Sequence, residues 1–497
     1  MNRRLARTFF ALLALGMIAT AVRSQPISAG STRPKPATPA SDESKIAQAK
    51  LIEDFRLARH ALEESHSGIY RYTPKEELDR RFDAAEKTLD RPMTAVEFYR
   101  VLAPVVAAIK CGHTGIRPPQ GTENERKILP LNVRVLEGKV YVFRDLSAEK
   151  GGLAGLEIRS INGIAATEIV KTMIAAVWAD GDIQTARQRR ISGQNFAISL
   201  VDLLGLKSPY EVSCWDASKE QEKKVKLEGI EVAKLQEAAR TAYPQDQRPK
   251  EAARLAYFDD GKIAQMKING FGGFVDAEHK KDLKAFYTDS FEEFETRHTQ
   301  VLILDLRDNG GGADELGKLL LSYLIDEPFK YYDDLVINAL DYSFRKYTGE
   351  KQPLPADVLE RQPNGKYRAV KHPNWGTQQP SKPTFRGKVY ILINGNSFST
   401  TSEFLSHVHF RKRATFIGEE SAGGYYGNSS GFMPRLTLPN TKVMVGVPMM
   451  TYYMAVSGYK DASRGVVPDH EVKYTIAELI AGTDKELALA LELSRKQ

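Results

Sequence analysis

The stretch from Lys388 to His407, KVYILINGNSFSTTSEFLSH, constrains this chain more than any other. Val389, Tyr390, Ile391, Leu392 and Ile393 form an unbroken apolar run, the pattern of a strand buried on both faces. Asn394-Gly395-Asn396 is turn chemistry. Ser397, Ser399, Thr400, Thr401 and Ser402 come next, then Phe404, Leu405 and Val408 at helical spacing. A strand, a tight turn and a helix with a Ser at the junction can expose a nucleophile. The helix N-terminus then offers free N–H groups to an oxyanion. The same hydroxyls suit a helix cap with no chemistry at all, and the stretch alone leaves both readings open.

The N-terminus points to export. Arg3, Arg4 and Arg7 precede the apolar segment Phe9 to Val22, which ends in small residues near Ser24. This is the layout of a secretory signal peptide, and the apolar segment is short for a spanning helix. A leader over 1–24 places the mature chain in the periplasm or outside the cell, with no stable membrane insertion after cleavage. The formal charge of +7 falls to +3 once the four leader arginines, Arg23 included, are removed. That is no nucleic-acid signature. Lys219, Lys223, Lys224 and Lys226 alternate with Glu220 and Glu222 and read as a solvated strand edge or loop. The two cysteines, Cys111 and Cys214, fall in different expected domains and are not expected to pair.

At 497 residues the chain is long enough for several domains. Residues 25–44 are rich in Pro, Ser, Thr and Ala and read as a flexible linker. Residues 45–125 read as a helical domain. Its apolar positions recur at helical spacing through Leu51, Phe55, Ala58 and Leu62, and Thr94 with Glu97 forms a capping box. The last helix is expected to end at Cys111-Gly112, with His113-Thr114-Gly115 following at once. Residues 126–230 are β-rich. Gly152-Leu153 and Gly155-Leu156 leading into Ile158, Ile161 and Asn162-Gly163 resemble a PDZ domain, a fold that takes a peptide as an added strand. Residues 231–497 alternate strands and helices, which implies a mainly parallel α/β sheet. An insertion over about 327–383 is expected to lie across that sheet like a lid, and Leu436 to Val447 reads as a hairpin turning at Pro439-Asn440.

Three expected strands end in Gly or hydroxyl residues. VLILDL leads into Arg307-Asp308-Asn309-Gly310-Gly311-Gly312, KVYILI into NGNSFSTTSEF, and ATFIG into Glu419-Glu420-Ser421-Ala422-Gly423-Gly424. Sites in parallel sheets form at the carboxyl ends of strands. The Gly-rich loop lacks the Lys of a phosphate-binding P-loop.

With these segments in order, and with Gly465-Val466-Val467-Pro468-Asp469 near the end, the chain resembles the tail-specific proteases, or carboxyl-terminal processing peptidases, from about Ile52 to His470. The resemblance implies a PDZ-like domain joined to a crotonase-like α/β core. It places the nucleophile at Ser399. One branch of that family activates its Ser with a Lys, but Gly424 stands at that position here. The other branch uses a His after the N-terminal helices, which is His113. Asp461 is the expected acidic partner, one place off the family's Glu. The expected oxyanion donors are the N–H groups of Gly310 or Gly311 and of Thr400. An ordinary imidazole would make activity rise with pH through roughly 6 to 7. Asp305, Arg307 and Asp469 are expected to be structural, and His407 and His409 to face away from the site. No metal or organic cofactor is implied. The expected partner is a peptide or protein substrate and not nucleic acid. The alternative is a non-catalytic protein that holds a peptide or apolar ligand on the same scaffold.

Overall fold

The computed structural model describes residues 44–120, 126–148, 152–278, 281–350, 352–354 and 356–496. The expected leader, and the linker up to its last residue, lie outside them. The α/β core is built on six strands in the spatial order Ala253–Phe258, Ile263–Ile268, Val301–Asp305, Lys388–Ile393, Thr415–Gly418 and His470–Glu471. The first pair is antiparallel and the other four pairings are parallel. Side chains alternate across a strand, and here they feed two different cores. Leu302, Leu304, Val389, Ile391 and Ile393 face the helices Leu283–Thr296, Asp314–Ser322 and Thr400–Phe410. Val301, Ile303, Tyr390 and Leu392 face Ala490 and its neighbours on the last helix, Lys485–Arg495. Burial on both faces explains why these strands are apolar without a gap.

The central strand Val301–Asp305 pairs Leu302 with Val389 and Asp305 with Leu392. This register brings the loop after Asp305 beside the turn after Ile393. Asp308 and Asn394 then bond across the gap, Asp308 N–H to Asn394 Oδ1 at 3.1 Å and Asn394 Nδ2 to Asp308 Oδ1 at 3.1 Å.

The insertion is tied down by backbone pairing. Its strand Tyr332–Ile337 runs antiparallel to Met450–Met454, inside a five-stranded sheet completed by Glu360–Arg361, Tyr367–Arg368 and Ser429–Ser430. Tyr332, Leu335 and Ile337 are buried against the same core as the helix Thr400–Phe410.

Residues 131–227 form a separate antiparallel sheet, with strands Leu131–Leu136, Lys139–Asp145, Glu157–Ile161, Tyr210–Asp216 and Gln221–Leu227 in that order. The lysine-rich strand is its exposed edge, and the helix Ala166–Ala176 packs on its core. Both cysteines are free and buried.

Three helices, Gln48–Ser65, Lys75–Lys87 and Ala95–Ala107, make the N-terminal region, and the capping box at Thr94 and Glu97 is present. The last helix stops at Ala107, four residues before the expected end, because Lys110 takes a left-handed backbone conformation. These helices share one core with Leu436, Leu438, Val443 and Val445 of the C-terminal hairpin. That hairpin, Arg435–Thr437 with Met444–Gly446, also pairs with Ile116–Arg117. A buried carboxylate locks the contact. Asp54, 0% exposed, accepts from Thr441 N at 2.6 Å, Thr441 Oγ1 at 2.7 Å and Asn440 Nδ2 at 2.9 Å.

Replacing Asp54 by Ala strands those donors inside the protein. Hydrogen bonds to a charged group contribute about 1.5–3 kcal/mol each, and unmet buried donors cost about as much. Asp54→Ala should therefore lower the unfolding midpoint in urea, with a loss of about 3 kcal/mol. An unchanged midpoint would show that the hairpin is held by apolar contacts alone.

Candidate active site

Ser399 occupies the N-cap position of the helix Thr400–Phe410, yet its side chain makes no capping hydrogen bond. The other hydroxyls of the stretch are all engaged with backbone carbonyls. Ser397 donates to Leu306 O at 2.8 Å, Thr400 to Gly312 O at 2.8 Å, Thr401 to Asn309 O at 3.0 Å and Ser402 to Ser397 O at 2.9 Å. Four hydroxyls thus fasten the turn to the neighbouring Gly-rich loop and to itself. The fifth, Ser399 Oγ, lies 3.1 Å from Nε2 of His113.

The Ser399 backbone has φ 56° and ψ −126°. A residue with a Cβ adopts this region only under constraint, at a cost of about 1–3 kcal/mol. The constraint is visible. Phe398 N–H donates to Asn309 O at 3.0 Å, and Ser397 O accepts from Ala422 N–H at 2.8 Å. Gly311, at φ 98°, packs beneath: a Cβ there would stand 2.7 Å from Ser399 Cβ and 2.8 Å from Phe398 O.

His113 arrives from a turn between the last N-terminal helix and the strand Ile116–Arg117. Gly446 N–H donates to Gly115 O at 2.8 Å on one side. On the other, Gly112 N–H donates to Asp180 Oδ1 at 2.6 Å and Arg190 Nη2 to Gly112 O at 3.2 Å. The imidazole stacks on Phe398, with centroids 4.5 Å apart and planes at 28°. The Arg190 guanidinium lies 5.1 Å from the same phenyl ring. Burial, and then the positive charge of Arg190, push the His113 pKa down to about 3. Its Nδ1 is buried and has no hydrogen-bond partner among the described residues.

Asp461, the acid expected from the sequence, does not meet this ring. It is exposed and accepts from its own loop, from Ser463 N at 2.8 Å and Ser463 Oγ at 2.7 Å. The loop is anchored instead by Glu420, which accepts from Arg464 at 2.7 Å on each oxygen and from Gly465 N at 3.0 Å. The carboxylate near His113 is Asp180, 1% exposed, within 4.8 Å of the imidazole and of Cys111 Sγ. Burial raises the Asp180 carboxyl, and the N–H groups of Gly112 and Gly424 act against that rise.

Of the expected oxyanion donors, Gly311 N–H is already given to Asn309 Oδ1 at 2.9 Å. The N–H groups of Gly310 and Thr400 meet no acceptor among the described residues, and Gly310 faces open space. Asp305 and Arg307 form a structural ion pair that extends to Asp484 and Glu486. Asp469 accepts from Phe416 N at 2.8 Å. His407 is buried and donates Nε2–H to Tyr331 O at 2.7 Å, and His409 bonds to the Tyr425 hydroxyl.

Residues 262–472 match the profile of peptidase family S41. The core is a peptidase family S41 domain, that of a serine-type peptidase. No curated protein sequence matches the chain. Among solved structures it is similar to mature CPAF complexed with lactacystin, at 14% identity and a TM-score of 0.61, covering 90% of this chain and 97% of that one. It is also aligned with the photosystem II D1 C-terminal processing protease, at 15% identity and a TM-score of 0.39, covering 86% and 93%. At such identities the first likeness speaks for the fold.

The S41 core has no room for a lysine at residue 424. A Cβ on Gly424 would collide with the Tyr72 hydroxyl, and Gly424 N–H donates to Asp180 Oδ2 at 3.2 Å. Beneath the nucleophile helix, Glu403 is fully enclosed between Asn428 Nδ2 at 2.7 Å and Tyr332 Oη at 2.9 Å. Tyr332 Oη also lies 2.6 Å from Asp314 Oδ2. One hydroxyl proton cannot serve two carboxylates. Burial, then the charge of Asp314, push the Glu403 carboxyl up to about 7, so it can supply the missing proton.

Sequence reasoning missed Asp180, Arg190, Tyr72 and the stacking role of Phe398. Phe398 at least adjoins Ser399. Ala179-Asp180-Gly181-Asp182 reads only as a turn, and nothing local ties it to His113.

Gly311→Ala should push Ser399 out of line without unfolding the core. A displacement of about 1 Å can cost about 10²-fold in rate. Labelling of Ser399 by a fluorophosphonate should slow by about that factor while circular dichroism stays unchanged. Unaltered labelling would mean that Gly311 does not set the serine position.

Proposed function

We propose that this chain is an exported serine endopeptidase in which Ser399 attacks the peptide carbonyl and His113 takes its proton. The observation that carries the reading is the 3.1 Å separation of Ser399 Oγ and His113 Nε2, brought together from 286 residues apart. A neutral imidazole with Nε2 free to accept is what a serine hydroxyl needs to become nucleophilic. As the C–O bond forms, the proton passes to Nε2 and negative charge builds on the carbonyl oxygen. Gly310 and Thr400 N–H, the latter at a helix N-terminus, are the donors for that oxygen. The imidazolium next gives its proton to the leaving amine, and water repeats the cycle on the acyl-enzyme. Asp180, in place of Asp461, is the acidic partner that offsets the imidazolium charge. The 131–227 sheet is a PDZ-like module that biases peptide choice.

Ser399→Ala and His113→Ala should each lower kcat/KM for peptide hydrolysis by about 10³-fold or more, and the double variant should be little worse, because the two act as one unit. The depressed His113 pKa alters the expected pH profile. The base is active when neutral, so activity is lost only as pH falls towards about 3. Between pH 8 and about 5 the His113 contribution to kcat/KM should be flat, where a solvated imidazole would titrate near 6.5. Full activity in His113→Ala would end the serine–histidine reading. A wild-type chain inert across a broad peptide library would favour a ligand-binding protein.

Export rests on the Arg-rich start and the apolar segment Phe9 to Val22. Protein from its native host should begin near Gln25 on N-terminal sequencing. A mature chain starting at Met1 or Asn2 would be incompatible with it.

A further inference from the structure

Three side chains meet at His113: the Cys111 thiol, a ring nitrogen of His113 and the Asp180 carboxylate, all within 4.8 Å of one another. The serine–histidine chemistry uses Nε2, which faces Ser399. It makes no use of Cys111, and it leaves Nδ1 buried with no partner among the described residues. A buried unmet N–H or lone pair is costly, so a group that satisfies Nδ1 is favoured there.

The donor set is specific in its chemistry. Thiolate and imidazole together select borderline-soft cations such as Zn2+ over Mg2+ or Ca2+, which prefer oxygen. Tetrahedral zinc, with bonds of about 2.0–2.3 Å, sets its donor atoms roughly 3.3–3.8 Å apart. Donors no more than 4.8 Å apart need to close by no more than about 1.5 Å. The Cys111 thiol makes a long S–H contact of 3.7 Å to Ser429 O, which it would give up on binding a metal. Each Asp180 oxygen accepts one N–H, from Gly112 or from Gly424, which leaves lone pairs for a metal.

We propose that Cys111, His113 Nδ1 and Asp180 form an inhibitory Zn2+ site built onto the catalytic base, with water as the fourth ligand. In the active form His113 carries its proton on Nδ1 and accepts at Nε2. Zinc on Nδ1 forces that proton to Nε2, and the Cys111 thiol releases its own proton to solvent. Nε2 is then a donor and cannot take the Ser399 proton. The binding stands on the donor geometry alone. The inhibition rests on the peptidase reading given above.

The two are separated by testing zinc on the full-length mature chain carrying Ser399→Ala, which keeps all three donors. It should retain one equivalent of Zn2+ after dialysis, and with Co2+ it should show a thiolate charge-transfer absorption. Cys111→Ala in that background should abolish the absorption while circular dichroism stays unchanged. In the otherwise wild-type enzyme, Zn2+ should inhibit hydrolysis, Mg2+ should not, and EDTA should restore the rate. Cys111→Ser should keep its basal rate and need at least about tenfold more Zn2+ for the same inhibition. Absence of stoichiometric zinc in Ser399→Ala, or no Co2+–thiolate absorption, overturns the site even if the chain is a peptidase. Equal zinc sensitivity in Cys111→Ser and wild type overturns the inhibition. If the chain hydrolyses nothing, zinc stoichiometry and the cobalt spectrum still decide whether the site exists.

Discussion

The contact between Ser399 Oγ and His113 Nε2 joins two residues that no local interaction would bring together. Each side is fixed by a separate body of structure. Ser399 is held in a left-handed backbone region by bonds from the adjacent hydroxyl residues and by the floor that Gly311 provides. His113 is held by the hairpin on one side and by Asp180 and Arg190 on the other. The stacking of His113 on Phe398 then couples the two directly, since Phe398 belongs to the same turn as Ser399.

This dependence explains why the N-terminal helices share a core with a hairpin more than 300 residues later in the chain. If they formed a free-standing domain, His113 would move relative to Ser399. Asp54 anchors the hairpin turn, the hairpin pairs with Ile116–Arg117, and His113 lies just before that strand. The insertion serves the other side in the same way, since Tyr332 reaches Glu403 beneath the nucleophile helix. Strain at one residue is tolerated because packed elements on every side over-determine it.

The readable parts of the sequence were those where one local rule sufficed. Continuous apolar runs gave the strands 301–305 and 388–393, because burial on both faces leaves few polar positions. Pro439-Asn440 gave the hairpin, and Thr94 with Glu97 gave the cap. The end of the third helix was set too late, because Lys110 adopts a left-handed conformation that propensity does not announce. Asp461 was chosen for its place near a Gly-Val-x-Pro-Asp segment. Short polar loops satisfy themselves, and Asp461 closes on Ser463 instead of reaching the ring.

By itself the sequence determined the parallel core, the candidate serine at a strand-to-helix turn and the candidate base after the N-terminal helices. All three depend on residue type and on spacing within one segment. Only the tertiary structure decided that Ser399, out of five hydroxyls, has a side chain left for His113, because three of the other four are used by carbonyls from elsewhere in the fold and Ser402 by that of Ser397. Only the tertiary structure brought Asp180 and Cys111 close to the imidazole and filled the space above Gly424 with Tyr72. Such proximities arise from packing between distant segments, and composition and periodicity carry no trace of which distant side chains will meet.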